Sequence, residues 1–236
     1  MYVCCRQCTS PPRPPTEGRR VTLAELIDAC RRYSGDTASP GWWSDDQWTV
    51  ALNEAQTEAC IRAKLIEDDS ITSDADALDP YVKIPARAFS VRSVLVAGVP
   101  IELLPRGDFE DRRFGDWTSA TGSPMECCRI GDKLRLYPTP IANADVTMVA
   151  FCTPKAEMLL DEADTAEPEI PGRLHVKLVD WALARFFEEP DADHFNAGLS
   201  LVHDGRFTDV FGPRPVETET KRAALKVRRS SRGCFV

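Results

Sequence analysis

Hydrophobic residues recur at the helical spacing of three and four positions in two parts of the chain, before residue 68 and after residue 170. The first helix is preceded by a capping box, Thr22 and Glu25, in which each side chain satisfies a backbone amide of the first turn. Leu23, Leu26, Ile27 and Cys30 then follow at helical spacing. We expect this helix to run from about residue 22 to 33.

The second predicted helix begins with another capping box, Ser44 and Gln47, and is expected to extend to about Glu67. Glu58 and Arg62 are predicted to form an ion pair on its polar face, at the four-residue spacing that stabilises helices. The opposite face carries the apolar stripe of this helix, which consists of Trp48, Leu52, Ala55, Ala59, Ala63 and Ile66.

The helical pattern returns at Pro171, a residue suited to the first turn of a helix, and ends at Pro190. A helix that is apolar on two sides is buried between partners, and this segment is of that kind. Its apolar residues are Leu174, Leu178, Val179, Trp181, Ala182 and Phe186. Asp191 is predicted to cap a last helix that continues to Phe207 or Phe211. One face of that helix is shared by Phe195, Leu199 and Val202.

Between these helical parts the pattern changes to that of β-strands. Residues 68–80 are acidic and polar and are predicted to form a solvated loop. Short runs rich in β-branched and aromatic residues follow at 81–84, 91–96, 99–103, 126–130, 133–137 and 146–152. Ala97-Gly98 and Gly131-Asp132 lie where two-residue hairpin turns are expected. A polar excursion over residues 105–123 has room for a short helix.

These patterns predict an α+β fold: an antiparallel helical bundle with an inserted antiparallel β-sheet or small β-barrel subdomain and an extended C-terminal tail. The bundle is expected to combine residues 21–68 with residues 170–212, and the inserted β-rich subdomain to cover residues 80–153. A flexible Cys/Pro-rich N-terminal arm, residues 1–20, and a basic extended tail, residues 213–236, complete the predicted organisation.

The charge of the chain is divided between its ends and its body. The net charge is −8, but residues 1–20 carry +3 and residues 221–236 carry +6, which leaves −17 for the other 200 residues. An acidic body repels nucleic acid, whereas the basic ends suit phosphates, an acidic protein surface or simply solvent. The basic residues of the tail are Lys221, Arg222, Lys226, Arg228, Arg229 and Arg232.

Candidate chemistry is scarce in this sequence. The nine cysteines follow no zinc-binding pattern, and the three histidines stand apart from one another. No phosphate-binding loop, nucleophile elbow or metalloprotease motif is present, and the apolar runs are too short to cross a membrane. We therefore expect no enzyme activity, no cofactor, no metal site and no membrane span.

Two further groups of residues are candidates for contacts with other chains. Trp117 lies in the polar excursion, and an aromatic residue in a polar loop often anchors a protein interface. Disulfides between neighbouring copies are a hypothesis if the protein leaves the cell as part of a particle. The cysteines concerned are Cys4, Cys5, Cys8 and Cys234.

The order of motifs resembles that of the head-to-tail adaptor (connector) proteins of tailed bacteriophages and related gene transfer particles. The resemblance spans residues 42–212. Its first helix carries Trp48, Leu52-Asn53-Glu54-Ala55 and Ile66, and its β block carries Thr121-Gly122-Ser123-Pro124 and Leu134-Arg135-Leu136-Tyr137-Pro138-Thr139-Pro140. The last part carries Glu169-Ile170-Pro171, Leu178-Val179-Asp180-Trp181-Ala182-Leu183 and Asp191-Ala192-Asp193.

The resemblance implies a structural virion protein of the neck, between capsid and tail, assembled in the host cytoplasm. It implies a ring of about twelve copies beneath the portal protein, which receives the tail or a stopper protein and lines the channel for double-stranded DNA without sequence-specific binding. The basic tail is then the segment that reaches the portal. The Cys- and Pro-rich start departs from the family pattern.

Other functions stay open at this stage. A tail-completion or tail-tube protein of the neck shares the structural character of an adaptor. An uncharacterised enzyme and a basic-tailed nucleic-acid binder are the remaining classes, although no motif supports the former and the acidic body opposes the latter.

Overall fold

A computed structural model describes residues 20–38, 41–112, 119–190 and 192–215. Within these ranges the fold is α+β, with a curled, mostly antiparallel sheet and five α-helices. The helices are α1 (Leu23–Ser34), α2 (Asp45–Ala63), α3 (Arg106–Arg112), α4 (Leu178–Glu188) and α5 (Ala197–Phe211). The strands are β1 (Ile66–Ala75), β2 (Tyr81–Lys83), β3 (Ala88–Val96), β4 (Val99–Leu104), β5 (Thr121–Gly122), β6 (Glu126–Ile130), β7 (Lys133–Tyr137), β8 (Thr139–Pro140) and β9 (Ala144–Cys152).

Both predicted capping boxes are confirmed. At α1 the Thr22 hydroxyl accepts a hydrogen bond from the Glu25 amide at 3.4 Å, and the Glu25 carboxylate accepts one from the Thr22 amide at 3.3 Å. Ser44 and Gln47 repeat this arrangement at α2, at 3.3 and 2.9 Å. The side chains therefore determine where both helices begin.

The acidic segment after α2 is a strand, so its prediction as a loop was wrong. The helix ends at Ala63, four residues earlier than predicted, because Lys64 adopts a left-handed conformation with φ of 51°. β1 then pairs antiparallel with β9 at the edge of the sheet. Ile71 and Ala75 face the core, and acidic residues occupy four of the other eight positions. Charge is typical of edge strands, since it opposes pairing with other chains.

The main sheet has the strand order β1-β9-β3-β4-β6-β7-β2. Both predicted hairpin turns are confirmed: Val96 pairs with Val99 around Ala97-Gly98, and Ile130 pairs with Lys133 around Gly131-Asp132. The prediction of an antiparallel sheet was incomplete, because β4 and β6 pair in parallel. The Ser73 hydroxyl on β1 donates to the backbone oxygen of Lys83 on β2 at 3.0 Å, so the two ends of the sheet approach each other.

The segment after Pro171 begins with a 3-10 helix, Gly172–Lys177, and becomes α-helical only at α4. The prediction of one α-helix from Pro171 was therefore wrong in its first two turns. The last helix does reach Phe211, as predicted, but its cap is Asn196, whose side chain accepts a hydrogen bond from the Leu199 amide at 3.1 Å. Asp191, the predicted cap, lies outside the described residues.

Two large hydrophobic cores lie on either side of Ile66, which contacts both. One core is formed by α1, α2, α4 and α5 together with Met158 and Ile170. The other is enclosed by the curled sheet, and a smaller cluster combines Phe109 of α3 with Leu104 of β4 and Cys128 of β6. Among the described residues, all strands of the main sheet come after α2 and before α4 in the sequence. The limits predicted for the separate subdomains remain predictions.

Candidate assembly interface

Several apolar residues at the start of α5 are exposed on the surface of the helices. Phe195, Leu199 and Val202 are 51%, 41% and 48% exposed. Leu199 and Val202 lie on α5, but Phe195 precedes the N-cap Asn196, so the prediction that all three share one helix face was wrong for Phe195. Val210 continues the exposed apolar side further along the helix. We call Phe195, Leu199 and Val202 the α5 stripe. Apolar side chains at helical spacing usually face a core, so a stripe that faces solvent indicates a partner surface.

A different row of residues fixes α5 to the rest of the protein. The His203 ring nitrogen Nδ1 lies 2.8 Å from Asp180 Oδ1 of α4. Phe207 packs on Trp181 with ring centroids 5.1 Å apart and on Phe211 at 4.5 Å. These contacts hold α5 along one narrow line, so Leu199 and Val202 lie on a helix that is anchored to α4.

Aromatic residues from the loop before α2 lie beside the start of the stripe. The Trp42 ring is 5.6 Å from His194, the residue before Phe195, and more than half of Trp42 is exposed. The loop is held by the buried carboxylate of Asp36, which accepts hydrogen bonds from the amides of Trp42 at 2.7 Å and Trp43 at 3.1 Å. Sequence analysis missed Asp36 because a lone acid after a helix resembles any loop residue.

A buried ion cluster lies at the other end of α5. Glu58 and Arg62 of α2 form the predicted ion pair at 2.8 Å, and both side chains are nearly fully buried although they lie on the polar face of the helix. Arg62 also donates to the Thr208 hydroxyl at 3.0 Å and lies over the Trp181 ring at 5.2 Å. Arg214, which follows α5, approaches Glu58 at 3.3 Å.

The ion cluster determines where the C-terminal segment leaves the helices. Arg62 donates to the backbone oxygen of Gly212 at 3.4 Å, and the described chain ends shortly afterwards at Pro215. The basic residues predicted to bind the portal lie outside the described ranges: Lys221, Arg222, Lys226, Arg228, Arg229 and Arg232. Arg62 and Arg214 were not among the predicted site residues. Their only sequence signal was the spacing between Glu58 and Arg62.

The cysteines of the described chain are buried thiols rather than reactive groups. They are Cys30, Cys60, Cys127, Cys128 and Cys152. Burial raises the pKa of Cys60 and of Cys127 to about 12 and that of Cys128 to about 11, and it shifts the pKa of Cys30 and Cys152 in the same direction. Such thiols are poor nucleophiles at neutral pH, because only the thiolate attacks.

The remaining candidate residues fall outside the described ranges. Trp117 belongs to residues 113–118, and the four cysteines proposed for disulfides belong to the two ends of the chain. Among residues 20–38, 41–112, 119–190 and 192–215, no three His, Cys, Asp or Glu side chains are grouped so as to hold a metal ion. Within the same ranges, no helix has the length and apolar character needed to cross a membrane.

Comparison with known protein families identifies the family of this chain. The family model described as SU10 adaptor protein matches residues 21–230, which is most of the sequence. The chain belongs to the SU10 adaptor protein family. No curated protein sequence matches it. The resemblance to phage adaptors is therefore confirmed.

Membership of the SU10 adaptor family has several consequences. It is a phage adaptor family, which implies a component of the virion that associates with other phage head and tail proteins. Such a family is structural, which suggests that the protein is not an enzyme. In this SU10 adaptor the α5 stripe and the departure point of the C-terminal segment are the two features that suit association.

Proposed function

We propose that this protein is a head-to-tail adaptor, about twelve copies of which form a ring between portal and tail around the channel for double-stranded DNA. The observation that carries the proposal is the SU10 adaptor match over residues 21–230. The α5 stripe supports it, because an outward apolar surface on a helix anchored to α4 suits contact with a neighbouring copy.

The two surfaces of a ring contact must differ, because copies in a ring meet head to tail. We propose that the α5 stripe packs into the groove of about 440 Å³ between α2 and α4 of the next copy, where Val50 is exposed. The groove is bordered by three acidic residues and one basic residue: Asp46, Glu54, Glu189 and Arg185. Arg206 follows Val202 by one helical turn on α5, so it would meet an acidic rim.

The stripe alone gives a weak contact. Complete burial of a Leu, Val or Phe side chain contributes about 1.5–3 kcal/mol, and these side chains are already about half buried, so the three contribute only about 3 kcal/mol. A micromolar dissociation constant requires about 8 kcal/mol after the costs of association. The isolated protein is therefore expected to be monomeric or weakly associated and to form a ring on the portal.

The C-terminal segment supplies the contact with the portal in this proposal. Residues 216–236 carry the six basic residues of the tail and leave the body beside the cluster of Glu58, Arg62 and Arg214. A basic segment is attracted to an acidic surface of a partner. The acidic charge of the body suits a channel wall, because gripping DNA requires Lys and Arg side chains that neutralise phosphates.

Electron microscopy of the protein mixed with purified portal tests this function. We expect rings on the portal with the full-length chain and none with a chain that ends at Pro215, although the shortened protein folds normally. Deletion of residues 1–19 is the matched control, since it also removes basic residues but should leave incorporation intact. Normal incorporation of the chain that ends at Pro215, or stable rings without portal, would contradict the proposal.

The same preparations separate the alternative functions. A tail-completion or tail-tube protein would join tail proteins and ignore the portal. A nucleic-acid binder would retain duplex DNA through residues 20–215, and its affinity would fall steeply with added salt.

A further inference from the structure

The main sheet has one end beside the helices and one end away from them. Ile66, at the start of β1, packs against the helical core and pairs with Cys152 of β9. At the other end of β1, Ala75 pairs with Ala144. The ten residues of β1 separate the two ends by about 30 Å.

Turns and strand ends at the end away from the helices present large apolar residues to solvent. These residues, which we call the sheet tip, are Leu78, Val99, Met125 and Ile141, and they are between 61% and 70% exposed. Val99 opens β4, and Met125 precedes β6, which runs parallel to β4. At the end beside the helices, by contrast, Ile84 and Leu104 are buried and Ile130 is partly buried. Exposed apolar residues in several adjacent turns are typical of an interaction surface.

Backbone hydrogen bonds hold the turns of the sheet tip together. The Leu78 amide donates to the backbone oxygen of Pro140 at 2.8 Å, which places Leu78 beside the turn that carries Ile141. The Ala97 amide, in the hairpin turn before Val99, donates to the backbone oxygen of Asp145 at 2.8 Å. The apolar residues therefore project from turns that are fixed to one another.

Leu78 has a backbone conformation that disfavours leucine. Its φ of 66° lies in the left-handed region, which glycine and asparagine tolerate far better than residues with large side chains. Leu78 is also 70% exposed, so burial within this protein offsets little of that cost. Exposed residues in such conformations are typical of functional contacts.

The charge of the sheet tip restricts the kind of partner that it can bind. Residues 76–80, 97–99, 123–125 and 138–145 include Asp76, Asp79 and Asp145 but no Lys, Arg or His. Such a surface repels nucleic acid, anionic lipid and the acidic body of a second copy. It suits a protein surface whose apolar pocket is bordered by Lys or Arg side chains.

We propose that the sheet tip is a further docking surface of this protein, and that it binds a basic surface of a protein on the tail side. Leu78 and Ile141 enter an apolar pocket of that protein. The carboxylates of Asp76, Asp79 and Asp145 pair with Lys or Arg residues around the pocket.

This inference rests on the proposed function, in which the C-terminal segment contacts the portal. That segment leaves the helices beside Arg62, which lies shortly before the start of β1. The sheet tip lies about 30 Å away, at the other end of β1. The two positions can therefore serve different partners at the same time.

Attachment of tails to rings that are already assembled on the portal tests the inference. Purified tails that lack this protein are added to these rings, and electron microscopy counts the rings that carry a tail. Leu78→Asp with Ile141→Asp should leave ring formation unchanged and lower tail attachment at least tenfold, because a carboxylate in an apolar pocket has no partner. Tyr33→Asp with Leu201→Asp, which alters two equally exposed apolar residues of the helices, is the matched control and should attach tails normally.

The outcomes distinguish this inference from the function on which it rests. Absence of rings with the unaltered chain would contradict the proposed function itself. Rings that form with the Leu78→Asp, Ile141→Asp variant and attach tails as well as the control would overturn the inference alone.

Leu78→Asn separates docking from folding, because its two expected effects have opposite signs. Asparagine tolerates the left-handed conformation, so the melting temperature of the free protein should rise by about 2–4 °C. The concentration of tails that occupies half of the rings should nevertheless increase about tenfold, because the apolar side chain is lost. A lower melting temperature would show that Leu78 supports the fold, and unchanged tail attachment would overturn the inference.

Charge variants test the basic character of the partner. Asp76→Asn with Asp79→Asn should weaken tail attachment and reduce its dependence on salt. Glu67→Gln with Asp69→Asn removes the same charge from exposed positions at the helical end of β1 and should leave attachment unchanged. Self-association through the sheet tip, or its binding to anionic vesicles, would identify a second copy or a lipid surface as the partner and overturn the inference.

Discussion

α4 and α5 are both rich in apolar residues, yet the fold uses them differently. Eight of the eleven residues of α4 are buried, whereas in α5 only His203, Phe207 and Phe211 are buried among fifteen residues. α4 contacts α1, α2 and α5, so it has neighbours on several sides. α5 packs mainly on α4, and a helix with one main neighbour can bury only one narrow row. The apolar residues of α5 beyond that row are therefore available to another chain.

The strongest test of this comparison removes a large side chain from α4. Phe186 is fully buried and packs against Trp43, Trp48 and His194, with ring centroids 5.3, 5.0 and 4.0 Å away. Phe186→Ala is expected to lower the free energy of unfolding by about 3–5 kcal/mol, because it leaves a cavity that these rings cannot fill. Urea unfolding of the monomer measures this effect.

Leu201→Ala provides the control for that measurement. Leu201 is the most exposed large apolar residue of α5, at 73%, so its truncation should change the free energy of unfolding by less than about 0.5 kcal/mol. Equal losses in the two variants would show that α5 depends on its outward residues as much as α4 depends on its interior.

The second test loosens the far end of α5. Glu58→Gln removes the charge that holds Arg62 and attracts Arg214, and hydrogen bonds to charged groups are worth about 2 kcal/mol. We expect a loss of stability of about that size, together with faster hydrogen exchange in the last turn of α5. Glu54→Gln, an exposed change one turn earlier on α2, should have no measurable effect. A larger loss from Glu54→Gln would contradict the assignment.

Much of this fold could be predicted from local sequence patterns. Capping boxes and two-residue hairpin turns depend on a few neighbouring residues. Thr22, Ser44 and Gly131 therefore determine them independently of the rest of the fold. β1 could not be recognised, because its strand character comes from its pairing with β9 rather than from its own composition. The parallel pairing of β4 with β6 is likewise a property of the whole sheet.

Only part of the candidate interface could be predicted from the sequence, for a related reason. Periodicity places Phe195, Leu199 and Val202 on one side of the chain, but it cannot tell whether a helix has one neighbour or three. The burial of Glu58 and Arg62 also depends on Thr208 of α5 and on Arg214, which lie more than 140 residues away in sequence. Contacts between residues far apart in sequence therefore decide how many neighbours a helix has and whether its charged residues are buried.

The third test uses alkaline pH, which acts on the buried thiol of Cys60 in the core that α2 forms with α4. An unfolded cysteine ionises near pH 9, whereas burial raises the pKa of Cys60 to about 12. The protonated thiol therefore favours the folded state, fully below pH 9 and progressively less as the pH rises towards 12. The free energy of unfolding should fall by up to about 1.4 kcal/mol per pH unit for this thiol. Cys60→Ala should reduce that slope, and an identical slope in the variant would contradict the assignment.

The smallest expected effect on stability belongs to the α5 stripe, and it separates folding from assembly. Leu199→Asp with Val202→Asp should lower the free energy of unfolding of the monomer by only about 1 kcal/mol, since both side chains are still about half exposed. Ring formation on the portal should nevertheless be lost, because a carboxylate in an apolar contact has no partner there.

Leu201→Asp is the matched control for the stripe, because it places the same charge on α5 about 160° around the helix from His203. Rings should form normally with that variant. If it abolished rings while the stripe variant assembled, the neighbouring copy would contact the opposite side of α5. If the stripe variant instead unfolded at low urea, Leu199 and Val202 would support the fold itself, and the contrast between α4 and α5 would disappear.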